Sequence, residues 1–159
     1  MRERSSSVKG GDLVTDANTL FSVWSLARAV RALLDDALAE SGLDADEYAV
    51  YSLLAVRGEV TPTELATWLA APATTVTSYV KRLEGRGHLE RVAHPSDGRS
   101  YRMVLTPTGL RAHRRAAALF APVLGRVEAA LGSAEPRVRT ALSTLRQVVG
   151  EVHQDGSAP

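Results

Sequence analysis

The sequence predicts a mainly α-helical chain carrying one small β-hairpin. Of the 159 residues, 45% are hydrophobic but only 5% aromatic. The apolar residues are mostly Ala, Leu and Val, and Ala and Leu lose least on entering a helix. Apolar positions recur at three- and four-residue steps over most of the length, the helical period. Between residues 89 and 105 the pattern changes to two short alternating runs around a turn-rich centre. The length suits one sizeable core, so a single domain is expected over residues 16–150, between polar tails at 1–15 and 151–159.

The elements follow in order. A first helix is expected over about 16–40, with Leu20, Val23, Trp24, Ala27, Val30, Leu34 and Leu38 on one stripe and Gly42 as a left-handed C-terminal cap. Asp44 opens a second helix, and Glu47 stands where it can complete a capping box. Tyr48, Tyr51, Leu53 and Leu54 face inward before Gly58 stops it. Thr61-Pro62-Thr63-Glu64 is a strong third start, combining a capping hydroxyl, Pro at the first helical position and a Glu able to reach back. That helix ends near Leu69. Pro72 keeps the residue before it out of helical geometry, so residues 70–71 form a tight turn.

A fourth helix over about 72–84 buries Val76, Val80 and Leu83, and Gly85 and Gly87 finish it. Two strands, 89–93 and 100–105, flank His94-Pro95-Ser96-Asp97-Gly98, which is rich in turn formers. Thr106-Pro107 opens a long helix to about Leu131, with Pro122 expected to kink it. Ser133 caps a last helix carrying Leu142, Leu145, Val148, Val149 and Val152.

Net charge is +1, but it is unevenly spread. Residues 35–47 hold six acids and no base, whereas residues 72–102 hold six bases (Lys81, Arg82, Arg86, Arg91, Arg99, Arg102) against three acids (Glu84, Glu90, Asp97). Such a local excess suits a polyanion, although an ordinary solvated surface reads the same way. The absence of cysteine excludes disulfides and thiolate metal sites and fits a reducing cytoplasm. Residues 1–11 lack the apolar run of a signal peptide, and no run of 18 apolar residues occurs, so no membrane span is expected. His88, His94, His113 and His153 lack zinc-ligand spacing, and no G-x-S-x-G, P-loop or GxGxxG is present. The chain is therefore not expected to be an enzyme, and no cofactor or metal is anticipated.

Two short helices, a tight turn and then a basic hairpin give the order of a winged helix-turn-helix, here over residues 43–106. Its second helix can enter a major groove. Pro72, Ala73, Thr74, Thr75, Thr77, Ser78, Lys81 and Arg82 are its candidate DNA-facing positions, with small hydroxyl residues near the helix start, where amides attract phosphate. In the hairpin, Arg99 is expected at an exposed tip with Asp97 two residues before it. An Arg steadied by a carboxylate suits the negative potential of a narrow minor groove. The competing readings are a polar-faced helical hairpin and an Asp97 that merely forms a turn.

The stretch from Leu65 to Gly109 resembles the DNA-binding core of the multiple antibiotic resistance regulator (MarR) family. The resemblance rests on Leu65-Ala66, Leu69, Thr75-Val76-Thr77, Val80, Arg82-Leu83-Glu84, Gly87, the Asp97-Gly98-Arg99-Ser100 wing and the Leu105-Thr106…Gly109 exit. With the flanking helices it extends over about 16–150. It implies a cytoplasmic homodimer joined through residues 16–42 and 107–150, acting as a repressor on double-stranded, pseudo-palindromic operator DNA. Thr74, Thr75, Thr77, Ser78 and Lys81 fall on its base- or phosphate-contacting positions, Arg99 on the minor-groove arginine and Asp97 on its partner. Ala73 and Ser78 stand where many relatives carry Arg, which reduces guanine reading. Ala71 or Pro72 replaces the usual Ser cap.

The family also implies relief of repression by a small ligand, often an aromatic or phenolic acid. Phe21, Trp24, Tyr48 and Tyr51 are candidates to line its site, with Arg28 or His113 facing a carboxylate. The same residues serve equally well as core. A winged helix that binds protein remains the rival reading; Lys81, Arg82 and the Asp97/Arg99 pair argue against it.

Overall fold

The computed structural model describes residues 18–93 and 100–155, and its elements follow the predicted order. They are α1 (Thr19–Leu38), α2 (Ala45–Arg57), α3 (Pro62–Leu69), α4 (Ala73–Gly85), β1 (Leu89–Ala93), β2 (Tyr101–Leu105), α5 (Pro107–Leu131) and α6 (Glu135–Asp155). Short 3-10 turns follow α1 (Ala39–Ser41) and α5 (Gly132–Ala134). The tail expected at 1–15 and the hairpin tip with Asp97 and Arg99 lie outside the described residues.

The described residues form two compact units divided after Phe120, where the sequence suggests one domain. In the first unit, α2, α3 and α4 enclose a core of Val50, Tyr51, Leu54, Leu65, Val76, Val80 and Leu83, closed by Leu89 and Met103 from the strands and Ala116 from α5. The strands pair antiparallel, with Leu89 opposite Leu105 and Ala93 opposite Tyr101. A third rung, not evident from the sequence, joins Val60 to Met103 through bonds of 2.8 and 3.1 Å. It ties the α2–α3 connection to the ribbon.

Local chemistry sets the helix boundaries. Asn18 caps α1 by accepting from the amides of Leu20 and Phe21. Thr61 and Glu64 form the full capping box at α3, and the two bonds from Thr61 hold the Glu64 carboxyl below its usual range. The α3–α4 turn runs through Ala70 at φ 49°, a left-handed conformation that costs a non-glycine residue about 1 kcal/mol. Gly109 is required for a different reason: a β-carbon there would lie 2.1 Å from the carbonyl oxygen of His88. Thr106 completes that junction, its hydroxyl donating to the Gly87 carbonyl at 2.7 Å and accepting from the Gly109 amide at 3.1 Å.

Three boundary expectations need correction. At α2 the capping box is only half made: Asp44 accepts from the Glu47 amide at 2.7 Å, but the Glu47 carboxylate turns into the protein. Ser133 does not cap α6; it lies in the preceding 3-10 turn and makes no capping bond there. The last helix also continues through Asp155, past the tail boundary expected at 151, because nothing in residues 148–153 breaks a helix except the tolerated Gly150.

Candidate nucleic-acid interface

Helix α4 turns Val76, Tyr79, Val80 and Leu83 into the core. The opposite face exposes Ala73, Thr74, Thr77, Ser78, Lys81 and Arg82. Thr75, expected on that outer face, is half-buried at its edge, because position 75 borders the core-facing Val76 and Tyr79 side of the turn. Pro72 is the N-cap and supplies no side-chain bond; its carbonyl accepts from the amides of Thr75 and Val76 instead. The first-turn amides are therefore not blocked by a capping side chain. Ser100 is half-buried just before β2.

Two hydroxyls on this face are already oriented. Thr77 Oγ1 donates to the carbonyl of Ala73 at 2.9 Å, and Ser78 Oγ donates to that of Thr74 at 3.0 Å. With their protons committed to the helix, both oxygens offer lone pairs outward. They are arranged to accept, as from the amino group of adenine or cytosine.

The positive charge is less available than the sequence window implies. Glu84 holds Arg91 bidentately at 2.5 and 2.8 Å, and the Arg91 guanidinium also lies 4.5 Å from the Tyr101 ring centre. Glu59 holds Arg102 at 2.8 Å. Glu47, only 2% exposed, accepts from Arg86 at 3.1 Å and lies 3.6 Å from Arg82. Two of these acids, Glu47 and Glu59, come from outside residues 72–102, and they cut the local excess from three charges to one. Lys81 makes no ion pair among the described residues.

Beneath the helix lies a polar pair the sequence does not signal. Tyr51 Oη and His88 Nδ1 share a bond of 2.7 Å. Burial raises the Tyr51 pKa, opposed by the nearby Arg86, and burial together with Arg86 lowers that of His88. Tyr51 is fully buried, so of the four aromatic candidates for a ligand site it is a core residue in this chain.

The other candidates fall into two groups. Tyr48 stacks on His113 at 5.6 Å and tilts against Phe120 at 5.5 Å, while His113 Nε2 meets the Ser52 hydroxyl at 3.1 Å. Burial lowers the His113 pKa, with Arg114 adding to the effect, so the imidazole is neutral near pH 7 and is not a ready counter-ion for a carboxylate. On α1, Phe21 stacks on Trp24 at 5.5 Å and Arg28 covers the same indole at 5.3 Å. Trp24 is 56% exposed. A cleft lined by Pro136, Arg137, Thr140 and Ala141 on α6 involves none of these residues.

A helix with a core-facing edge, an outward row of small acceptors and a following β-ribbon defines a winged helix-turn-helix. Comparison with known proteins agrees. Residues 41–100 match the model of the MarR family. Among solved structures, the M. tuberculosis transcriptional regulator MosR in complex with DNA is 27% identical, with TM-score 0.73 over 85% of this chain and 98% of that one. The transcriptional repressor CouR, bound to a 23-mer DNA duplex, is also 27% identical, with TM-score 0.72 over 91% and 99%. The PcaV regulator from Streptomyces coelicolor, in complex with its natural ligand, is 27% identical, with TM-score 0.70 over 84% and 93%. No match is found among curated proteins. The chain is thus similar to the MarR family over residues 41–100 and to solved transcriptional regulators over most of its length.

Proposed function

We propose that this regulator is a cytoplasmic homodimeric repressor that lays one α4 helix in the major groove at each half of a pseudo-palindromic operator. The observation that carries the reading is the outer face of α4, where exposed Thr74, Thr77 and Ser78 precede a Lys81 that makes no ion pair among the described residues. Ala73 and Pro72 let the backbone approach closely, and the wing, with Asp97, Arg99 and Ser100, is assigned to the adjacent minor groove. Solved relatives bound to DNA support this, and the lack of cysteine fits a reducing compartment.

Apolar surface supports the dimer. Leu20, Trp24, Val30 and Leu33 on α1 are 41–61% exposed within one chain, and Leu142, Val148, Val149 and Val152 on α6 are 46–67% exposed. Isolated residues of this kind are ordinary, but repeated stripes on helices mark contact surfaces. One window within Pro107–His153 reaches the length and mean hydropathy (1.2) of a membrane span with 6% of it buried. We read it as protomer contact, since Arg114, Arg115 and Arg126 of α5 and Arg137, Arg139 and Arg146 of α6 flank or interrupt the apolar stretch.

The effector is proposed to be a small aromatic or phenolic acid, taken up beside Tyr48 and His113 of one wall and Phe21, Trp24 and Arg28 of α1. The ligand-bound PcaV structure supports a small-molecule input in this fold.

Titration of a labelled promoter fragment across a salt series tests the central claim. Affinity is expected to fall roughly tenfold or more between 50 and 200 mM salt for a dimer touching several phosphates. A flat response would favour a protein partner instead. Deleting residues 142–152 is expected to yield monomers in sedimentation, and aromatic acids are expected to raise the melting temperature and release the DNA.

A further inference from the structure

Glu47 is a buried carboxylate that faces one flank of α4, where Arg82 and Arg86 stand four residues apart and therefore one above the other. Its Oε2 accepts from Arg86 Nη1 at 3.1 Å. Its Oε1 is equally buried and accepts no hydrogen bond; the nearest cation is Arg82 Nε, 3.6 Å away. The Arg82 guanidinium also lies over the Tyr79 ring, 4.9 Å from its centre. The ion pair with Glu47 is closest at Nε. The donors on Nη1 and Nη2 have no partner among the described residues, and the side chain is 48% exposed. Arg91 is the contrast, since Glu84 takes its Nε and Nη2 together at 2.5 and 2.8 Å and withdraws it from other anions.

We propose that Glu47 is a positioning residue for DNA binding: with Tyr79 it fixes the Arg82 guanidinium so that its Nη1/Nη2 edge is presented to a phosphate flanking the groove. The inference rests on α4 being the recognition helix. A phosphate is best met by two parallel N–H donors in a fixed plane, which a freely rotating arginine adopts only at an entropic cost. A ring on one face and a carboxylate at Nε remove that cost before the duplex arrives. Because Glu47 is buried, salt screens its hold on Arg82 less than it screens a surface pair. The unfilled Oε1 leaves the arginine attracted inward at Nε yet unclosed, so its outer edge stays free.

The test uses the whole 159-residue chain and a labelled duplex of mixed sequence, because phosphate contacts do not depend on sequence. Arg82→Ala is expected to lower affinity about tenfold at low salt and to flatten the salt slope by about 0.9 per phosphate, close to two for a dimer. In a Glu47→Gln background the same change is expected to remove less than half as much. Arg82→Lys, at a half-exposed position that folding tolerates, is expected to recover less than half of the slope, since lysine has no Nε to be held. Equal losses in both backgrounds, a larger loss in the Glu47→Gln background, or full recovery by lysine would each overturn the proposal while leaving DNA binding intact. Failure of the unaltered protein to bind any duplex would instead sink the DNA reading, and this inference with it.

Discussion

Tyr51 Oη lies 2.7 Å from His88 Nδ1, joining the middle of α2 to the residue that leads into β1. The phenol is fully buried and the imidazole half-buried. His88 also accepts from the Thr106 amide through its carbonyl, at 3.0 Å, so one residue ties α2, the wing root and the start of α5.

Tyr51→Phe should destabilise the protein by about 1–2 kcal/mol, since it leaves His88 Nδ1 unpartnered without creating a cavity. Denaturant unfolding checks this. An unchanged midpoint would mean that water replaces the phenol at no cost.

Acid should weaken the fold through its two half-buried imidazoles. His88 and His113 both have pKa values lowered from 6.5 by burial. In the unfolded chain they take up protons near 6.5 and in the folded chain only at lower pH, so between those points the unfolded state binds more protons. Their contribution to stability is therefore complete above about pH 7 and is lost as pH falls below 6.5 through their lowered folded-state values. A melting temperature that drops over this interval, and drops less in His113→Gln, is the expected result.

The two helical glycines of α5 should behave oppositely. Gly109→Ala forces a β-carbon to within 2.1 Å of the His88 carbonyl and should cost about 2–4 kcal/mol. Gly125→Ala meets nothing within 4 Å and should stabilise by about 0.5–1 kcal/mol. Thermal melts of the pair distinguish a packing requirement from mere helix propensity.

Ser78→Ala should change base preference, by about 1–3 kcal/mol at one amino-bearing position, because the hydroxyl is set to accept. Lys81→Ala should weaken binding to all sequences alike and flatten the salt slope by roughly one per protomer. Selection from a randomised duplex pool, together with a salt titration, separates the two roles.

Arg99→Ala should weaken DNA binding while leaving the melting temperature unchanged. Equal affinity would remove the minor-groove role assigned to it.

Features that depend on near neighbours are legible in the sequence. The Thr61–Glu64 box and the α3–α4 turn both follow from residues a few positions apart. Glu47 reads wrongly as a capping partner because its true partners lie 35 and 39 residues away, leaving the local pattern as the only signal. For the same reason the basic window looks freer than it is, since Glu59 reaches Arg102 across 43 residues. Tyr79 does not stand out as core because its ring is amphipathic. The acceptor orientation of Thr77 and Ser78 does have a signal, as hydroxyls inside helices often donate to the carbonyl four residues back.

Residues 47–52 give α2 two working sides. Glu47 and Tyr51 grip the flank of α4 and the wing root, while Tyr48 and Ser52 rest on His113 of α5. In the function proposed above, a small guest against Tyr48 would press on one side of α2 while the arginines lie on the other. The proposed sensing and reading sites are thus separated by the thickness of one helix.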